Sequence, residues 1–309
     1  MSPLNVVQFV PALLIVLFSV VSLLVLRLVV SIRAVCSVFG ILLVPFSFQS
    51  LGLIYSGYFA NMLALILVFV YVLLFFKVLD HFSSLGFFVL LGVSGLVFFS
   101  HSWTWFIFAL SLCMFLFLQW RLASRDRRLW GRFKIQVVYI GATVVVGLLS
   151  DLVRRLLSSG SPSSSVLATA QSSLGFPNSA YLLSGLRESV NFVLGGVFAN
   201  QLLVFLSVVG FLVLIRFRSE VSNFFVAWVF VGCVSILFAA RDFVFDRFLF
   251  LMPWVVLSSL GLFFFVGFVS SHVGEWKGWR LWLLILILSL VFLVLLNGSL
   301  RFIFNINIW

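Results

Sequence analysis

A chain of 309 residues that is 64% apolar and 9% charged, with a mean hydropathy of +1.30, lies far from a soluble domain, which is roughly 45–50% apolar and about 25% charged. Its 19 Lys+Arg against 8 Asp+Glu make it basic, yet no basic stretch is interleaved with exposed polar residues as a DNA or RNA face requires, so anionic headgroups are the better partner for the excess. The expected fold class is therefore all-α: a polytopic transmembrane helix bundle occupying 1–309 as a single membrane domain, without a soluble domain, repeat or coiled coil.

A membrane span needs about 20 apolar residues at about 1.5 Å rise each. By that measure the chain reads as about ten membrane segments, near 7–31, 34–47, 57–79, 84–100, 103–120, 134–156, 197–215, 221–241, 248–270 and 281–303. The first, beginning "MSPLNVVQFVPALLIVLFSVV", carries no base before its apolar run and meets Arg27 only at its far end. That order is the reverse of a secretory signal and predicts a retained helix running from outside inward. The second segment is short, and "PFSFQSLGLIYSG" after it reads as a helix break with a re-entrant or interfacial turn.

Between the fourth and fifth segments, "FFSHSWTWF" (98–106) turns the chain. Trp103 and Trp105 suit an interface, and His101 is a solvated turn residue or a candidate at the level of the other outer charges. The connection "RLASRDRRLWGRFK" (121–134) is the most basic in the chain and is assigned to the cytoplasm. With that anchor the 19 bases divide into 13 inside and 6 outside, a positive-inside bias that predicts a multi-pass cell-membrane protein with its amino terminus outside.

In "LLSDLVRRLL", Asp151 precedes Arg154 and Arg155 by three and four positions, a spacing for a helical ion pair. Two adjacent arginines on the side that usually avoids them also point to a bound anion. The Ser-rich stretch 158–180 is then an outer loop. After it, Ser184, Arg187, Glu188 and Asn191 fall at i, i+3, i+4 and i+7, one polar stripe on a helix that lies in the interface or lines a cavity. Near the end, "FAARDFVFDRFLFLMPW" (238–254) sets Arg241, Asp242, Asp246 and Arg247 at an outer helix end, with Pro253 kinking the span that follows.

Several chemistries are excluded. Cys36, Cys113 and Cys233 stand singly in apolar runs, and His81, His101 and His272 have no metal-ligating neighbour at i+3 or i+4, so no disulfide framework and no metal site are expected, and the sequence assigns no divalent metal. Phosphate-loop, dinucleotide-binding and nucleophile-elbow patterns are missing as well.

Taken in order, "SPLNVVQFVPALLIVL", "LGLIYSGYFANMLALIL", "SHSWTWFIFAL", the basic inner loop, the Ser-rich outer loop and "DFVFDRFLFLMPWVVLSSLGL" resemble the later membrane half of the C-type glycosyltransferases, archaeal ones especially, over roughly residues 1–265. The resemblance implies transfer of a sugar from a lipid-phosphate carrier at the extracytoplasmic face, with arginines near outer helix ends holding the phosphate. Arg247 matches the arginine of the family's Asp-Arg…Pro pattern, and Arg241, Arg154 and Arg155 are its expected companions, with Asp246 or Asp242 as general base. The acid that such enzymes carry in their first outer loop has no counterpart before residue 57 or around 100–103. The resemblance therefore also implies a truncated, split or accessory form.

Three functions are accordingly expected: a glycosyltransferase-like protein binding a polyprenyl-phosphate-type lipid carrier, with a divalent metal left open; a non-catalytic scaffold or accessory subunit pairing with another membrane chain; and, third, a transporter. Membrane lipids are partners in each, nucleic acid in none.

Overall fold

The computed structural model describes residues 3–29, 43–47, 49–50, 53, 58–157, 201–217, 219–237, 250–272 and six positions between 282 and 294; among them all regular structure is helical. In chain order the helices are α1 (Pro3–Val29), α2 (Phe59–Asp80), α3 (Ser84–Ser100), α4 (Ser102–Ala123), α5 (Trp130–Leu157), α6 (Gln201–Phe217), α7 (Glu220–Leu237) and α8 (Trp254–His272), with a short 3-10 turn, Arg127–Leu129, leading into α5. Four stretches are long and apolar enough to cross a membrane, Phe9–Val29, Phe59–Asp80, Ser102–Ala123 and Arg127–Arg154; α3, α6, α7 and α8 are shorter apolar helices. The about ten segments read from the sequence thus become eight helices among the described residues. Of the other two, 34–47 is described only from residue 43 and 281–303 only at six positions. The stripe containing Arg187 lies outside the described residues.

Helix α2 is apolar all round, as a central helix must be. Twelve of its 22 residues are buried, and α1, α3, α4 and α5 pack around it. Its aromatic side chains fill the middle: Phe69 meets the Trp228 ring of α7 edge-on at 5.7 Å, and Phe75 meets Phe115 of α4 at 6.2 Å. Such edge-to-face contacts matter more here than in water, because lipid is as apolar as the core and association rests on packing and hydrogen bonds.

Polar side chains tie the same helices together. The Tyr71 hydroxyl lies 2.6 Å from Thr143 Oγ1 on α5, and the Trp105 indole N–H on α4 donates to Ser94 Oγ on α3 at 3.1 Å. Tyr71, Thr143 and Ser94 are all fully buried. The Trp105 ring lies flush against Gly147, where a Cβ would sit 1.8 Å from Cζ2.

A second body of contacts joins α6 to α8, the most extensive helix pair in the bundle. Gly210 and Gly261 face each other there: a Cβ at Gly210 would lie 1.8 Å from the Leu257 carbonyl oxygen, and one at Gly261 1.8 Å from the Leu206 carbonyl oxygen. Small residues let two backbones meet, which is the usual means of helix association in lipid.

The expected break after the second segment is present as a buried turn. Ser47 and Ser50 each donate to the Val44 carbonyl at 2.7 Å, closing the chain where Pro45 follows. The turn packs against a second interruption, at Met252 and Pro253, where helical bonding stops before α8 begins at Trp254. The sequence reading of one kinked span over 248–270 is corrected accordingly: proline both removes a donor and crowds the preceding turn, and here the ladder stops outright. Buried Gln49 bridges the two breaks, its side-chain nitrogen donating to the carbonyls of Phe250 at 3.1 Å and Met252 at 2.6 Å.

At the opposite end, Arg132 of α5 binds Asp80 at the end of α2 and Glu220 at the start of α7, both at 2.8 Å. This explains why α5 begins at Trp130 rather than at the expected 134: Arg132 is part of the helix and anchors it.

Two substitutions test this packing. Gly210→Val forces backbone apart, and overpacking of this kind costs roughly 1–3 kcal/mol, so the thermal midpoint in detergent falls while Gly210→Ala falls less. Gln49→Leu removes two buried hydrogen bonds and costs about 1–3 kcal/mol; a midpoint equal to wild type in the same assay would show that the two breaks do not depend on the amide.

Candidate functional site

The site grows from the turn between α3 and α4. His101 is in extended backbone, φ −160° and ψ 97°, and serves both helices. Its N–H donates to the Val97 carbonyl at 3.0 Å, closing α3, and its carbonyl accepts from Trp105 N–H at 3.1 Å, opening α4. The imidazole Nδ1 accepts from the Thr104 N–H at 3.2 Å and lies 2.8 Å from Thr104 Oγ1. A ring nitrogen thus caps the helix as a Ser or Asp oxygen ordinarily does. An accepting Nδ1 puts the proton of the neutral ring on Nε2, so that edge is a hydrogen-bond donor.

Helices α3 and α5 run in the same direction. Gly95 faces Val146 and Ser150, with Cβ-to-atom distances of 3.8 and 3.9 Å, and this offset brings the end of α3 to the level of the last turn but one of α5. Arg154 therefore stands beside the α3–α4 turn, where its Nη1 donates to Ser102 Oγ at 3.3 Å.

Together these groups line a cavity of about 400 Å³ bounded by Phe98, Phe99, Ser100, His101, Ser102 and Arg154. Its polar side offers a guanidinium, an imidazole and two hydroxyls. The rest of the lining is aromatic: Phe98 is buried against Trp105 with ring centroids 5.7 Å apart, whereas Phe99 is 59% exposed. A cavity whose lining combines cationic and hydroxyl donors with phenyl rings suits an anionic head attached to an apolar body.

Of the residues singled out from the sequence, His101 and Arg154 come together in this cavity. Asp151 is buried one turn earlier on α5 and is not among the lining residues. Arg155 lies on the same helix, its side chain outside the described residues. Arg187, Glu188, Asn191, Arg241, Asp242, Asp246 and Arg247 also lie outside them. Sequence reasoning missed Ser100 and Ser102; the doublet flanking His101 in "SHS" was the available signal. No cluster of three metal-ligating side chains occurs among the described residues.

No family model, curated protein or solved structure matches this chain. The functional reading therefore rests on the residues and their geometry.

The cap at His101 is separable from its part in the cavity. His101→Asn keeps an acceptor for the Thr104 N–H, whereas His101→Ala loses it at a cost of about 0.5–2 kcal/mol. We expect the alanine variant to melt below the asparagine variant; coincident melting curves would show that the imidazole does not hold the turn.

Proposed function

We propose that this chain is a polytopic membrane protein that binds a lipid phosphate of the polyprenyl-phosphate type in the cavity between α3, α4 and α5, as a glycosyltransferase-like protein. The observation that carries the proposal is the meeting of Arg154, His101 and Ser102 at one end of the bundle, in one lining with Phe98 and Phe99. A phosphomonoester or phosphodiester placed there receives charge-assisted hydrogen bonds from the guanidinium and neutral ones from Nε2–H and the hydroxyls. Its hydrocarbon tail leaves past exposed Phe99 into lipid.

The reading includes the finer topology: about ten membrane segments in the cell membrane, the buried turn at 44–47 as the re-entrant element, an interfacial helix near 184–191, an extracytoplasmic amino terminus and a cytoplasmic 121–134 connection. It is supported by the gathering of Asp80, Arg132 and Glu220 at one end and of His101 and Arg154 at the other. Arg155, Arg241 and Arg247 are the further phosphate ligands proposed, with Asp246 or Asp242 as base. Transfer chemistry would need that base to take the acceptor proton while the arginines stabilise the departing phosphate.

An accessory role is the second reading, and one observation favours it. No carboxylate is among the residues lining the cavity, so the lining supplies donors for an anion without the acidic residue that the transfer reading calls for.

A synthetic polyprenyl phosphate titrated onto the protein in nanodiscs tests the proposal. Loss of a hydrogen bond to a charged group costs about 1.5–3 kcal/mol, so Arg154→Ala weakens binding by about tenfold or more, Arg154→Lys by less, and inorganic phosphate does not compete at similar concentration. Unchanged affinity in Arg154→Ala would sink the cavity assignment. If Arg247→Ala abolished binding while Arg154→Ala left it unchanged, the site would lie at the other arginine cluster.

A further inference from the structure

At the end of the bundle away from the cavity, the described residues include nine bases, Arg27, Lys77, Arg121, Arg125, Arg127, Arg128, Arg132, Lys134 and Arg216, against three acids, Asp80, Asp126 and Glu220. The three acids are already engaged. Asp80 and Glu220 both bind Arg132, and Asp126 accepts from the Arg128 backbone N–H at 2.9 Å, capping the 3-10 turn. Arg132 takes both of those carboxylates, and among the described residues no carboxylate forms an ion pair with Arg121, Arg125, Arg127, Arg128 or Lys134. All five are exposed on the α4–α5 hairpin.

The same hairpin exposes large apolar side chains between the bases. Phe117 and Trp120 are each 48% exposed, Leu122 40% and Leu129 38%. A surface for a soluble polyanion or an acidic protein has no use for indole and leucine side chains standing among its charges. Where headgroups give way to acyl chains both are stable, with Trp at headgroup level and arginine stems lying along apolar surface while the guanidinium reaches outward.

We propose that the α4–α5 hairpin is a binding platform for anionic phosphodiester headgroups of the leaflet it touches, a second lipid site distinct from the cavity at the other end. Four of its five free bases are arginine, whose fork matches a phosphodiester in two bonds at once.

The test uses the full chain in nanodiscs of phosphatidylcholine with and without phosphatidylglycerol, reading by native mass spectrometry how far phosphatidylglycerol is enriched among the lipids that stay with the protein. Each base near an anionic surface contributes about a fivefold preference, so the combined Arg125→Gln, Arg127→Gln and Arg128→Gln variant should lose enrichment about tenfold or more. The corresponding three-lysine variant should keep it within about twofold, and raised salt should lower it in wild type. Enrichment unchanged by the Gln exchanges, or lost equally with Lys, overturns the proposal. So does wild-type protein that binds soluble polyphosphate in pure phosphatidylcholine nanodiscs yet shows no phosphatidylglycerol enrichment in the mixed ones. Arg154→Ala leaves this enrichment intact, so the two sites fail independently.

Discussion

Away from water, a polar group that leaves its own helix ladder must be met from inside the protein, and this constraint organises the bundle. The commonest answer is local: Ser19, Ser111, Thr143, Ser150, Ser207 and Ser259 each return their hydroxyl to the carbonyl four residues before, at 2.6 to 2.9 Å. Such bonds cost the helix little and let hydroxyls face a packed neighbour. The rarer answer is long-range and shapes the fold. Gln49 can serve Phe250 and Met252 only because the 44–47 turn and the Pro253 break are brought side by side, and irregular backbone at this depth is tolerated only where protein encloses it.

The same constraint sorts the charges. An ionised side chain in the middle of the bundle would face a penalty that no aromatic neighbour offsets, and the described charges accordingly stand near helix ends. What differs between the ends is the use of acids. Arg132 gathers Asp80 and Glu220 from two other helices, leaving the hairpin beside it with a surplus of base. At the other end Arg154 donates to the Ser102 hydroxyl beside the histidine cap that opens α4, with Asp151 buried one turn earlier on the same helix. The described charges thus stand in two settings, a surplus of base at one end and a small recess with one guanidinium in its lining at the other.

Helix existence was legible because apolar runs of this length have few alternatives. The α3 segment, expected at 84–100, is found at those residues, since Ser83 caps one end and His101 the other. Where the expectation slipped, a single residue carried information that composition hides. Arg132 and Lys134 read as loop residues by charge, yet Arg132 is a first-turn anchor. Pro253 reads as a kink, yet the partner that makes a full break tolerable, Gln49, lies two hundred residues away. The α6–α8 contact was invisible for the same reason: Gly210 and Gly261 become informative only when known to face each other.

For the site the limit is register. His101 and Arg154 each stand out as polar residues at an outer helix end, but their meeting depends on how far α5 extends past α3, which follows from Gly95 lying against Val146 and Ser150 and from Gly147 seating Trp105. At about 1.5 Å rise per residue, a slip of one turn between the two helices would move the guanidinium about 5 Å along the bundle and out of reach of Ser102. The buried Trp105–Ser94 bond forbids that slip, because it locks the α3–α4 hairpin while the indole keys the hairpin to α5. The recess is thus a by-product of core packing one turn beneath it: His101, Ser102 and Arg154 are at the rim, and the residues that decide whether they meet are Ser94, Trp105 and Gly147.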